Sequence, residues 1–223
     1  MNLIKKISAV IVRDFKLSLR NINDLLTFIL FFFLSIFIFI FGIGSDREIL
    51  NEIGVGILWV LLLFTFTLSQ KKFYEDDFNS GSIVIIHMSG LSYEIIALIK
   101  ILTNFMYIQL PFLISIPIAG ILINLSLEKT FLFILSFLLG SIILSCLGSI
   151  SASMNLLNKT NFSLGSVIII LFSIPVIIFS VDLINNENNF HSILYILIGI
   201  MLIFFAIAPW VSAYCIKVAL ENK

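Results

Sequence analysis

Charge is scarce in this chain: only 12% of its 223 residues are Asp, Glu, Lys or Arg, and histidine occurs twice, at His87 and His191. Soluble domains carry about twice that charged share, so an ordinary water-facing surface is excluded. The two cysteines, Cys146 and Cys215, sit in or at the end of apolar runs, with no second Cys or His at ligand spacing. Both read as structural thiols, and neither histidine has the companion that a metal site needs. There is no phosphate loop of the form GxxxxGKS or GxxxxGKT, no GxSxG, no HExxH, and no Ser paired with a His inside an apolar run. Hydrolysis of ATP by this chain alone is excluded, and no catalytic residue, metal ligand, bound cofactor or nucleic-acid partner is expected.

Apolar residues fill the space that charge leaves. They make up 60% of the chain, with 23 phenylalanines, and the mean hydropathy is +1.17. A hydrocarbon core about 30 Å thick takes roughly 20 helical residues. Six runs come near that length: Leu25 to Ile43, Ile53 to Ser69, Leu98 to Ile123, Phe131 to Met154, Leu164 to Ile184 and Ile193 to Ile216. They are apolar on every side, which excludes the alternating segments of a β-barrel. The first run is too long for a signal peptide and lacks a small-residue cleavage site. The sequence therefore predicts an all-α integral membrane protein, one transmembrane domain over residues 1–223 with six crossings.

Basic residues orient it. Lys5, Lys6, Arg13, Lys16, Arg20, Lys71, Lys72, Lys100, Lys159, Lys217 and Lys223 share one face of a six-span chain, and only Arg47 and Lys129 fall on the other. Lys and Arg collect on cytoplasmic flanks, so both ends are expected in the cytoplasm. The opposite-face connections are short and mildly acidic, with Asp46, Glu48 and Glu52 in one and Asp182 and Glu187 near another. Within the spans ionisable groups are nearly absent; Lys100 and Lys217 lie near ends where they can snorkel. No intramembrane energy source is visible.

Residues 1–23 place Ile4, Ile7, Ile11, Phe15, Leu19 and Ile22 on one stripe, with Arg13, Lys16 and Arg20 off it. That pattern suits a helix lying in the headgroup layer, as a plain anchor or as a part that something pushes. The longest loop, residues 70–97, holds Glu75, Asp76 and Asp77, then Gly81, Ser82 and an apolar stretch from Ile83 through Ile86 to Met88. A short helix starting near Ser82, with the acids just ahead of its N-terminus, is expected there. Four adjacent aliphatics in a loop point to a docking surface rather than a solvated turn. In the fourth span Ser141, Ser145, Ser149 and Ser153 recur every four residues beside Gly140 and Gly148. Such a face lets another helix approach closely, from this chain or a second copy, or lines a polar path. Pro111, Pro117, Pro175 and Pro209 all fall inside spans and tend to kink them.

A longer pattern runs nearly end to end. It comprises Arg13 and Asp14; Gly42, Ile43 and Gly44 with Asp46; Gly56 to Val60; Asp76 and Asp77; and Gly81 and Ser82. It continues through Leu110 and Pro111, Leu139 and Gly140, Leu147 and Gly148, Ile174 and Pro175, Ile178 and Phe179, and Ala208 and Pro209. In order and spacing this resembles the cytochrome c maturation protein B family, the membrane subunit of the ABC-type haem exporter. Two departures stand out: Val84 and Ser89 to Gly90 follow where the family has an acidic residue and a Pro-containing turn, and Asn155 to Ser163 lacks a basic Gly-Gly turn.

The resemblance implies an ABC-2-like permease of the bacterial inner membrane, present as a homodimer. It implies two copies of a cytoplasmic ABC ATPase, which binds the ATP, a haem-handling membrane protein, and a periplasmic haem chaperone released in c-type cytochrome assembly. On that footing Asp76, Asp77, Gly81, Ser82, Ile83 and Ile86 are the candidate contacts to the ATPase. Export of a lipid, polysaccharide or drug, and a non-transporting scaffold, are the alternatives.

Overall fold

The computed structural model describes residues 3–44, 47–70, 73–157, 164–186 and 189–222. Asp46, Lys71, Lys72, Lys159, Glu187 and Lys223 lie outside the described residues. The helices are α1 (Leu3–Arg20), α2 (Ile22–Ile43), α3 (Arg47–Ser69), α4 (Glu75–Asn79), α5 (Ser82–Met88), α6 (Tyr93–Asn104), α7 (Leu110–Leu122), α8 (Leu127–Leu157), α9 (Leu164–Asn185) and α10 (Phe190–Glu221). Among the described residues six stretches are long and apolar enough to cross a membrane, namely Ile22–Ile43, Ile49–Ser69, Tyr93–Leu122, Leu127–Leu157, Gly165–Asn185 and Phe190–Glu221. The protein is an all-helical, six-span membrane protein. An even number of crossings puts α1, the 70–92 loop and the end of α10 on one face, called here the N-terminal face.

The third span is not one plain helix. Between α6 and α7 the chain takes a wide π turn over Phe105–Gln109, two residues ahead of Pro111. Proline has no N–H to give and its ring crowds the carbonyl one turn back. Widening that turn relieves the clash without ending the span.

The longest-buried helix is α8, which packs against α3, α6, α7, α9 and α10. Its small-residue face explains how. Trp59 of α3, fully buried, lies over Gly140, where an added Cβ would stand 2.4 Å from the indole. From Trp59 an aromatic chain crosses the bundle: Phe133 and Phe137 of α8 lie 5.8 and 6.0 Å from it by ring centroid, Phe66 of α3 stacks on Phe137, and Phe112 of α7 meets Phe66 edge-on at 5.2 Å. Phe32 of α2 closes the chain against Phe112 at 5.6 Å. Further along α8, Ser145 accepts a hydrogen bond from Gln109 Nε2 at 2.7 Å, and Ser149 bonds both Tyr74 and Ser212 of α10 at 2.7 and 2.8 Å. Ser141 caps its own turn through Leu138 O, and Gly148 leaves room for Phe73 and Gln70. The stripe is therefore covered within one subunit and is not an open face for a second copy.

Gly140→Ala should force Trp59 aside at about 1–3 kcal/mol, the usual cost of overpacking, whereas Gly199→Ala has open space around it. The readout is the unfolding temperature of the detergent-solubilised protein. Equal values for the two variants would show the Gly140 contact to be slack.

Candidate functional site

The N-terminal face carries a small two-helix knob. Its acids do not cap α5 as the spacing predicts. Glu75, Asp76 and Asp77 instead form the first turn of a separate helix, α4, where negative charge complements that helix's own free amides. Gly81, at φ 73°, turns the chain between the two, a left-handed position that a side chain resists. α5 then starts at Ser82, where the sequence places it.

On α5 the apolar run splits between two faces, because residues three apart share a side of a helix and neighbours do not. Ile83 is fully buried and anchors the knob against Phe73, Tyr74 and Ile101. Ile86 is buried with Leu91 and Ile96, where Ile7 and Val10 of α1 cover it. The two isoleucines taken from the sequence as docking contacts thus face inward. The outward face presents Ile85, 68% exposed, and Met88, 80% exposed, with His87 beside them. Their own i, i+3 spacing was the available signal, masked by an unbroken aliphatic run. Asp76 is exposed, Gly81 and Ser82 are half-buried, and Asp77 is buried.

Two features hold the knob in place. Lys6 of α1 donates to Ser89 O at 2.6 Å just past α5, and His87 stacks on Tyr93 at 4.0 Å while its Nδ1 meets Leu91 O at 2.9 Å. α1 itself lies across α6 and the knob, with Asp14 buried and Lys16 and Arg20 exposed. Ile4, Phe15, Leu19 and Ile22 remain exposed, while Ile7 and Ile11 are half-buried.

Beneath the knob four charges meet. Arg13 Nη1 donates to Asp14 Oδ1 at 2.8 Å and its Nη2 to Asp77 Oδ1 at 2.5 Å. Lys100 Nζ pairs with Asp14 Oδ2 at 3.0 Å and with Asp77 Oδ2. Burial would push the Asp77 carboxyl up, but the charges and hydrogen bonds of Lys100 and Arg13 outweigh it and hold the group below the usual carboxylate range. Asp14 and Lys100 were not singled out as partners in the sequence, since nothing local links positions so far apart. A cavity of about 140 Å³ opens beside this cluster, lined among others by Asp76, Asn21, Asn104 and Tyr107. Among the described residues the buried Tyr107 hydroxyl has no hydrogen-bond partner.

Six apolar spans around a packed centre, with an amphipathic helix strapped to a compact knob on one face, define a multi-pass membrane protein of the six-span permease type. The description "CcmB protein" fits residues 5–219, and the chain belongs to the CcmB family. It is similar to heme exporter protein B of Haemophilus influenzae, 28% identical over 96% of this chain and 98% of that protein. Heme exporter protein B of Bradyrhizobium diazoefficiens is 29% identical over 96% and 99%, and that of Rhodobacter capsulatus 28% identical over 96% and 99%.

Asp77→Asn should lower stability at neutral pH by roughly 1–3 kcal/mol, less than a sealed ion pair because Arg13 is partly exposed. Asp77 has a depressed folded-state pKa, so its contribution is complete above the unfolded value of about 3.9 and lost as pH falls through the folded one. Thermal unfolding in detergent should therefore show the wild type's lead over the variant shrinking only below about pH 4. A lead that grows on acidification would contradict the ionised pairing.

Proposed function

We propose that this chain is the membrane subunit of an ATP-driven complex that handles haem for c-type cytochrome assembly. The observation that carries the reading is a family match from residue 5 to residue 219, with relatives called heme exporter protein B along nearly their whole lengths. The excess of Lys and Arg on the N-terminal face makes that face, with both termini, cytoplasmic in the inner membrane. α1 then lies in the headgroup layer with Lys16 and Arg20 toward anionic lipid.

The spans hold too little charge for coupling to an ion gradient, so the work comes from a partner. An ABC ATPase docks on the outward side of the knob, where Ile85 and Met88 of α5 offer an exposed apolar contact and Glu75 and Asp76 of α4 are exposed as well. Two copies of the chain, two ATPases and a separate haem-handling membrane protein complete the assembly. ATP hydrolysis promotes release of the haem-loaded periplasmic chaperone. No cofactor is bound by this chain itself; ATP sits on the ATPase and haem on the partners. Ile83, Ile86, Gly81 and Ser82 shape the knob and position its contact face.

A strain lacking this gene should lose covalently haem-bearing c-type cytochromes and regain them with the wild-type copy. Ile85→Asp/Met88→Asp should reach the membrane at normal levels yet lose ATPase co-purification and cut cytochrome yield about tenfold or more, as for a contact hot spot. Normal co-purification in that variant would remove the docking assignment. Normal cytochromes with a partner ATPase unable to hydrolyse ATP would remove the ATP-driven reading.

A further inference from the structure

The four charges under the knob form a closed ring of alternating sign. Arg13 bridges Asp14 and Asp77 on one side, and Lys100 bridges the same two acids on the other. The ring is neutral as a set and largely shielded, with side-chain exposures of 33% for Arg13, 4% for Asp14, 9% for Asp77 and 12% for Lys100. It ties together three elements remote in sequence: α1 through Arg13 and Asp14, the knob through Asp77 of α4, and the third span through Lys100 of α6.

Adhesion alone does not call for such a ring. Burying ions costs several kcal/mol each before pairing offsets it, and an apolar contact of equal volume holds helices as well or better. A ring differs from an apolar contact in having two distinct conditions, closed and open, and in fixing which elements must move together. Its surroundings match that use. The cavity of about 140 Å³ gives Asp14, Asp77 and Lys100 room on one side. The π turn at Phe105–Gln109 begins five residues beyond Lys100 in the same span, so the regular helical ladder is interrupted between α6, which carries Lys100, and α7.

We propose that the Arg13–Asp14–Lys100–Asp77 ring is the joint that transmits movement of the knob to α1 and α6, with the π turn taking up the bend. This rests on the reading that an ATPase drives the knob. The ring residues are positioning residues: they face inward, away from Ile85 and Met88, and transmit force without binding the ATPase.

The test uses the complete complex purified from native membrane. Arg13→Gln/Asp77→Asn removes one cation and one anion, leaves the Lys100–Asp14 pair, and strands no charge. The expected result is uncoupling: the ATPase co-purifies in wild-type ratio and hydrolyses ATP at the wild-type rate, while c-type cytochrome yield falls about tenfold, within the range of ordinary coupling factors. A structural role alone would lower protein level, ATPase recovery and yield together. Yield within about twofold of wild type, the scatter of uncoupled sites, overturns the proposal, and so does loss of the ATPase from the complex. Should the double variant not accumulate, Arg13→Lys is read the same way, since it removes the guanidinium fork that gives Asp14 and Asp77 a separate donor each; uncoupling supports the joint and wild-type behaviour overturns it. Absence of the ATPase from the wild-type complex would instead bring down the parent reading, a result visible before any variant is made.

Discussion

In hydrocarbon a leucine gains nothing by turning inward, because lipid tails are as apolar as a neighbouring helix. What holds a six-helix bundle together is close approach and the few polar groups that find each other away from water. α8 supplies both. Gly140 lets the Trp59 ring sit against the α8 backbone, and Ser145 and Ser149 give Gln109, Tyr74 and Ser212 partners that lipid would not. Burial follows this division: α2 and α10 turn long aliphatic and aromatic faces outward, while α3 and α8 are mostly enclosed.

At the N-terminal face the balance changes. There the chain leaves the hydrocarbon, water becomes available, and ionised groups can be kept if they are paired. The ring of Arg13, Asp14, Asp77 and Lys100 sits at that boundary, with Arg13 partly wet and the acids dry. Deeper in the membrane the same four charges would be far more costly, and further out they would be screened. Their depth is set by Lys100, two turns into the third span, and by α1, which Ile7, Val10 and the buried Asp14 hold against α6 and the knob.

Much of this was legible in the sequence. The six spans, the helix from Leu3 and the start of α5 at Ser82 all follow from local composition and period. The span ends shifted by a few residues, since helices continue past the hydrocarbon wherever capping allows. What was not legible depended on tertiary neighbours. The sequence shows that Ile83 to Ile86 must be covered, but not that Ile83 and Ile86 meet the bundle and α1 while Ile85 stays outside. Arg13-Asp14 and Asp76-Asp77 stand out as family positions, yet the convergence of Asp14 and Asp77 on both Arg13 and Lys100 is visible only once α1 folds back over α6. The π turn is a similar case: Pro111 announces a disturbed helix, but a kink, a break and a widened turn are equally compatible with one proline.

The arrangement bears on where force can enter. A bundle held by close aromatic and glycine contacts deforms little, because its core is bistable rather than compliant. Pressure on its centre would have to displace Trp59, Phe66 and Phe137 together. The knob is different: its contacts with the rest include Ile83, Ile86, the His87–Tyr93 stack, the Lys6 bond and the ion ring, and it adjoins the cavity and the span with the widened turn. On the proposed reading, a cytoplasmic motor therefore acts at a place where the fold can yield without repacking its centre. On that reading movement enters the hydrocarbon through α6, which leads to the widened turn, while α1 shifts at the N-terminal face and the packed α3–α8 pair serves as the fulcrum and not as the moving part.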